Sequence, residues 1–153
     1  GWVTLGMGLA MVTANLSVGR LVHIFGSDKR TSLANTLLLC TVLAALWLTS
    51  GMNVWISAVL LVMVCISDSS YSLIMSHGRA FLPHHLVGRG ITFMNMTSIA
   101  GVGIMQFASR PVYLAASARH EPAAAYGYIF LFFLIPLVIG LLFYVFSPED
   151  GHD

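Results

Sequence analysis

The sequence predicts an all-α polytopic membrane protein, a bundle of five transmembrane helices. Of its 153 residues, 58% are hydrophobic and 8% are charged, whereas about a quarter of a soluble domain is charged. The apolar residues form five long runs, and 12 of the 13 Asp, Glu, Lys and Arg residues lie outside them. A formal net charge of +1 gives no basic face for nucleic acid. The lipid bilayer is therefore the expected partner.

Each apolar run is long enough to cross a bilayer as a helix. A helix rises 1.5 Å per residue, so about 20 residues span a hydrocarbon core of roughly 30 Å. Helices are expected because lipid offers the backbone no hydrogen bonds and the runs lack the alternation of barrel strands. The predicted spans, which form one membrane domain, cover residues 3–19, 33–49, 54–76, 91–109 and 126–146.

Lys and Arg are concentrated in two of the four breaks between spans. The first and third breaks carry five of them, the fourth carries two and the second none. The positive-inside rule then predicts that the first and third breaks are cytoplasmic, with the N-terminus outside and the C-terminus inside. We expect a multi-pass protein of a bacterial inner membrane. The apolar run starts at Gly1 without features of a signal peptide, which is typical of a fragment of a longer protein.

The first span carries small residues on one face, which predicts close packing against another helix. These residues are Gly6, Ala10, Thr13, Ala14 and Ser17. Asn15 lies on the opposite side, where it either bonds a neighbouring helix or contacts a solute.

The second and fifth spans are apolar on nearly all sides, so we expect both at the periphery, facing lipid. In the fifth span Pro136 predicts a kink. Tyr126, Tyr128 and Tyr144 lie near its ends, as interfacial anchors do.

The third span contains Asp68, the only charge inside a span. Because a charged carboxylate near the bilayer centre is costly, we expect Asp68 to face the bundle interior and to be paired or protonated. Two roles are open. Asp68 is either held by hydroxyls such as those of Tyr71 and Ser72, or it carries a proton during transport. A metal site with His77, His84 and His85 is not expected, because the spacing matches no usual ligand pattern.

The fourth span places Asn95, Ser98, Gln106 and Ser109 within one arc of about 80°. This polar stripe indicates a cavity holding water or solute, and the alternative is a seam between packed helices. Arg110 and Pro111 are expected to end the span. The residues predicted to line the solute cavity are Asn95, Ser98, Gln106, Asp68, Tyr71 and Asn15.

Two loops resemble loops of the major facilitator superfamily of secondary transporters. The segment GRLVHIFGSDKRTS is similar to the signature Gly-x-Leu-x-Asp-Arg-x-Gly-Arg/Lys, with His23 and Ile24 in place of its Asp and Arg. The segment RAFLPHHLVGRGITFMN resembles the cytoplasmic loop before the family's eleventh helix. The motif residues are Gly19, Gly26, Lys29 and Arg30 in the first loop and Arg79 and Arg89 in the second.

The resemblance implies that the five spans are helices eight to twelve of such a transporter. It implies alternating access, a small-molecule solute, and a solute site shared with missing N-terminal helices of the same protein. It also puts Arg79 and Arg89 near the cytoplasmic gate. In the first loop, a cation such as Lys29 can pair with a helix end or an acidic group. No enzyme activity, cofactor or metal is expected. Two alternatives stay open: a membrane-embedded enzyme that uses Asp68 and nearby histidines, and an accessory membrane subunit without a solute path.

Overall fold

The structure, a computed structural model, describes residues 1–67 and 70–147. These residues form six α-helices, and none of them lies in a strand. The helices are α1 (Trp2–Phe25), α2 (Asp28–Leu48), α3 (Val54–Ile66), α4 (Ser70–Ala80), α5 (Val87–Ser117) and α6 (Pro122–Val145). Asp68 lies outside the described residues.

In the part of the chain that the structure describes, four segments are long and apolar enough to cross a membrane. They are Lys29–Leu48, Val54–Ala80, Val87–Ser117 and Pro122–Val145, and the apolar part of α1, Trp2–Ser17, is shorter. The predicted all-α class is confirmed, and these four segments support the prediction of a membrane protein. A fifth span at α1 stays a prediction.

Helix α5 extends beyond the predicted span at both ends. It runs from Val87 to Ser117 with Pro111 inside it, so the expectation that Arg110 and Pro111 end this element was wrong. Hydropathy marks only the part of a helix that matches the lipid core, and a helix can continue into the interface. Similarly, the break before the fifth span was predicted to run to residue 125, but α6 already begins at Pro122, whose fixed φ suits the first turn of a helix.

Helix α2 lies at the centre of the bundle. It contacts α1, α3, α4 and α6, and its side chains Val42, Leu43 and Leu46 form the buried core. Phe130 and Phe133 of α6 pack against this core. The prediction that α2 is peripheral was wrong. Side chains that face lipid and those that face another helix are equally apolar in a membrane protein, so an apolar sequence does not separate them.

The small face of α1 packs against α3, as predicted. A Cβ placed on Gly6 would lie 3.8 Å from Cγ2 of Val62, which is an ordinary van der Waals distance. Ala14, on the same face, is buried. The small side chains therefore allow the close contact between these two helices.

A tight turn joins α1 to α2. Gly26 ends α1 with φ 72°, and its N–H donates to the carbonyl of Val22 at 2.8 Å. This left-handed conformation suits glycine and lets α2 begin at Asp28. Gly19 was expected in the loop but lies inside α1, because the helix continues to Phe25.

Candidate functional site

Helices α4 and α5 are joined by a hydrogen bond between two exposed side chains. The hydroxyl of Tyr71, near the start of α4, donates to Oδ1 of Asn95 in α5 at 2.6 Å. Tyr71 retains 45% of its accessible surface, and Asn95 is exposed as well. Two residues that the sequence predicted for the cavity are thus brought together.

The other predicted groups of α5 continue the same polar stripe. Ser98 is half-buried and its hydroxyl donates to the carbonyl of Met94 at 2.9 Å, whereas Gln106 is exposed. At 100° per residue, the stripe lies at the edge of the side of α5 that packs on α6. Beyond the stripe, α5 exposes large apolar side chains that suit contact with lipid, among them Phe93, Met96, Ile104 and Phe107.

We call Tyr71, Asn95, Ser98 and Gln106 the α4–α5 polar face. Their side chains are two amides and two hydroxyls, which donate and accept hydrogen bonds without formal charge. Burying an amide without a hydrogen-bond partner costs about 1–3 kcal/mol, as measured by mutations in proteins. The face therefore suits contact with water, a polar solute or another helix better than contact with lipid.

Two close contacts at glycines lie towards the connection between α4 and α5. A Cβ on Gly78 would lie 3.0 Å from Sδ of Met94, and a Cβ on Gly90 would overlap the side chain of Leu82. Glycine at position 78 lets Met94 of α5 approach α4, and glycine at position 90 lets Leu82 of the α4–α5 connection approach α5. The two helices and their connection form the α4–α5 hairpin.

Asn15 does not join the α4–α5 polar face. Helix α1 contacts α2 and α3 but neither α4 nor α5 among the described residues. The Asn15 amide is exposed and donates to the carbonyl of Met11 in its own helix at 3.0 Å. Asn15 neither bonds a neighbouring helix nor lies beside the other predicted cavity residues. Its side chain instead reaches the carbonyl four residues earlier in the same helix.

Asp68 was predicted to complete the cavity, but it lies outside the described residues. Its proposed partner Tyr71 donates its hydroxyl to Asn95. The structural and proton-carrying roles of Asp68 both stay predictions.

Lys29, in the first turn of α2, is buried and bonds the end of α6. Only 6% of Lys29 is exposed. Its ammonium donates to the carbonyl of Val145 at 3.1 Å and to the carbonyl of Ser147. The last carbonyls of a helix lack partners within the helix and carry partial negative charge, so a cation stabilises them. The loop cation pairs with a helix end, one of the two partners expected for it.

The other motif cations are exposed. Arg30 follows Lys29 on α2, Arg79 lies in the last turn of α4, and Arg89 lies in the first turn of α5. Arg79 and Arg89 flank the short α4–α5 connection.

His77 is a buried polar residue whose contacts the sequence did not predict. Its Nδ1 shares a hydrogen bond with the hydroxyl of Tyr144 at 3.0 Å, and its ring meets those of Phe81 and Tyr144 edge-on. The spacing of His77 and Phe81 on one helix face was the only available signal. Tyr144, expected as an interfacial anchor, thus bonds a histidine.

The described residues contain no group of three His, Cys, Asp or Glu that could hold a metal.

No family model matches the chain, and no curated protein or solved structure matches it significantly. The described residues form an all-helical protein with four segments long and apolar enough to cross a membrane, which indicates a membrane protein.

Proposed function

We propose that the chain is the C-terminal part of a secondary active transporter of the major facilitator superfamily, and that its α4–α5 polar face lines the path of a small solute. The hydrogen bond from Tyr71 to Asn95 carries the proposal. It places exposed polar groups of two helices together along a segment that is otherwise apolar enough to cross a membrane.

Energetics favour a polar neighbour for this face. Exposed amides at Asn95 and Gln106 would lose hydrogen bonds to water if lipid covered them. Contact with a water-filled cavity avoids this loss, as does contact with polar groups of the N-terminal helices of the same protein. Transport by alternating access places the solute between two such helix bundles.

The proposal assigns roles to the remaining predicted residues. Asp68 carries a proton that is coupled to solute movement, since an ionisable group inside a span is by default a functional candidate. Arg79 and Arg89 belong to the cytoplasmic gate. The N-terminus lies outside and the C-terminus inside a bacterial inner membrane.

Leucine substitutions test the polar face in the complete protein. A solute screen with proteoliposomes first identifies a transported compound. Asn95→Leu and Gln106→Leu should then each lower kcat/KM about two- to twelvefold, because one hydrogen bond contributes about 0.5–1.5 kcal/mol. The amount of folded protein should change little, because leucine fits lipid and packing surfaces.

Thr97→Val is the matched control. Thr97 is exposed on another face of α5, and its hydroxyl donates to the carbonyl of Phe93 in the same helix at 2.9 Å. This variant should transport like the wild type. Normal transport by both leucine variants would contradict a solute path along the polar stripe. The stripe would then be a seam between packed helices, and an accessory subunit without a solute path would be favoured.

A further inference from the structure

The α4–α5 hairpin has an unbalanced charge. Residues 70–120 contain four Arg and four His but neither Asp nor Glu. Arg79, His84, His85 and Arg89 lie at the connection between the two helices, and all four are exposed. This end of the hairpin is therefore a cationic surface beside a membrane-spanning helix.

A cavity of about 290 Å³ lies within this surface. Ser76, Arg79 and His84 supply its polar lining, and Val87 at the start of α5 also lines it. No side chain caps the first N–H groups of α5. A helix N-terminus attracts anions, and here it acts together with a guanidinium and an imidazole.

A second groove lies along the first turns of α5. It has a volume of about 340 Å³ and is lined by Gly88, Arg89, Thr92, Phe93 and Met96. The groove changes from cationic to apolar along the helix. Phe93 and Met96 are both more than half exposed, so this strip is open to the lipid.

We propose that this surface binds an anionic phospholipid, with its headgroup at the cationic end of the hairpin that carries Arg79, His84 and Arg89 and an acyl chain along Phe93 and Met96. The order of groups matches that of a lipid: a cationic end at the helix terminus, then an apolar strip within the membrane-spanning segment. A soluble phosphate ester satisfies only the cationic part. Basic pockets at the cytoplasmic ends of membrane helices bind acidic headgroups in this way.

Native mass spectrometry of the purified full chain in neutral detergent tests this site. Phosphatidylglycerol should bind in preference to phosphatidylcholine, which carries no net charge. Each basic residue near an anionic lipid contributes about 1 kcal/mol, so the double variant Arg79→Gln/Arg89→Gln should bind phosphatidylglycerol about 25-fold more weakly.

The control is a double variant with the same loss of charge at the other end of α5, Arg110→Gln/Arg119→Gln. Both arginines are exposed, and this variant should bind phosphatidylglycerol within about twofold of the wild type. Arg79→Lys/Arg89→Lys keeps both charges and should also retain binding. Size-exclusion profiles confirm that each variant is folded.

Three results would overturn the proposal. Equal binding of the two lipids would remove the requirement for an acidic headgroup. Equal weakening in the control variant would show charge attraction without a site. Displacement of the lipid by an equal concentration of inorganic phosphate would identify a site for soluble anions, because the acyl chain would then contribute nothing.

Discussion

Replacing Lys29 by methionine tests the contact between α2 and the end of α6. Methionine keeps an unbranched apolar side chain but removes the ammonium that donates to the carbonyls of Val145 and Ser147. A hydrogen bond from a charged donor contributes about 1.5–3 kcal/mol, so two give at least about 3 kcal/mol. Removing a buried charge recovers part of its desolvation cost, and water reaches the exposed Val145. We expect a net loss of about 2 kcal/mol.

Unfolding in mixed micelles of a mild detergent and sodium dodecyl sulfate measures this loss. Hydrogen exchange should locate it, with faster exchange in the last turn of α6 and little change near Ala125. Arg20→Met is the control, since Arg20 is exposed and its loss should cost at most about 1 kcal/mol. If Lys29→Met is as stable as Arg20→Met and the last turn of α6 exchanges normally, the buried ammonium does not stabilise this helix end.

Three further predictions concern packing, orientation and coupling. Gly127→Ala should destabilise the chain by about 1–3 kcal/mol in the same unfolding assay, because the new Cβ would lie 2.8 Å from Cβ of Ser50. As the control, the new Cβ of Gly140→Ala meets nothing within 4 Å, so this variant should be neutral or stabilising. A cysteine at Ser50 should react with an impermeant thiol reagent from outside and one at His85 should not, and the reverse would invert the proposed orientation. Asp68→Asn should fold normally and exchange solute but fail to accumulate it against a gradient. If this variant still accumulates solute when a pH difference drives transport, proton coupling is excluded. A structural role for Asp68 predicts instead that Asp68→Asn has no effect and that Asp68→Ala gives less folded protein.

The sequence predicts well what depends on local pattern. Hydropathy located the membrane-spanning segments of α2, α5 and α6, since the cost of unsatisfied backbone groups in lipid forces long apolar runs into helices. The small face of α1 predicted its contact with another helix, because close approach requires small side chains at regular spacing. The break predicted after the first span contains Gly26, which ends α1 with the positive φ that glycine tolerates.

Partners distant in the sequence were not predictable from it. The loop motif indicated that a cation such as Lys29 pairs with a helix end or an acidic group, but nothing identified the end of α6 as its partner. The core position of α2 was missed because lipid-facing and helix-facing side chains share one chemistry. For the candidate site, the stripe on α5 was readable from its helical period, whereas its link to α4 through Tyr71 and Asn95 depends on how the two helices pack.

Thiol labelling along α5 tests most directly whether the α4–α5 polar face lines an aqueous path. Single cysteines replace Asn95 and Gln106 on the stripe, and Ile104 and Phe107 on the exposed apolar side, in the complete protein without its native cysteines. A water-soluble thiol reagent applied to the protein in a bilayer should modify the two stripe positions and leave Ile104→Cys and Phe107→Cys unmodified. Unreactive cysteines at both stripe positions, or equal labelling at all four, would contradict an aqueous path along this face.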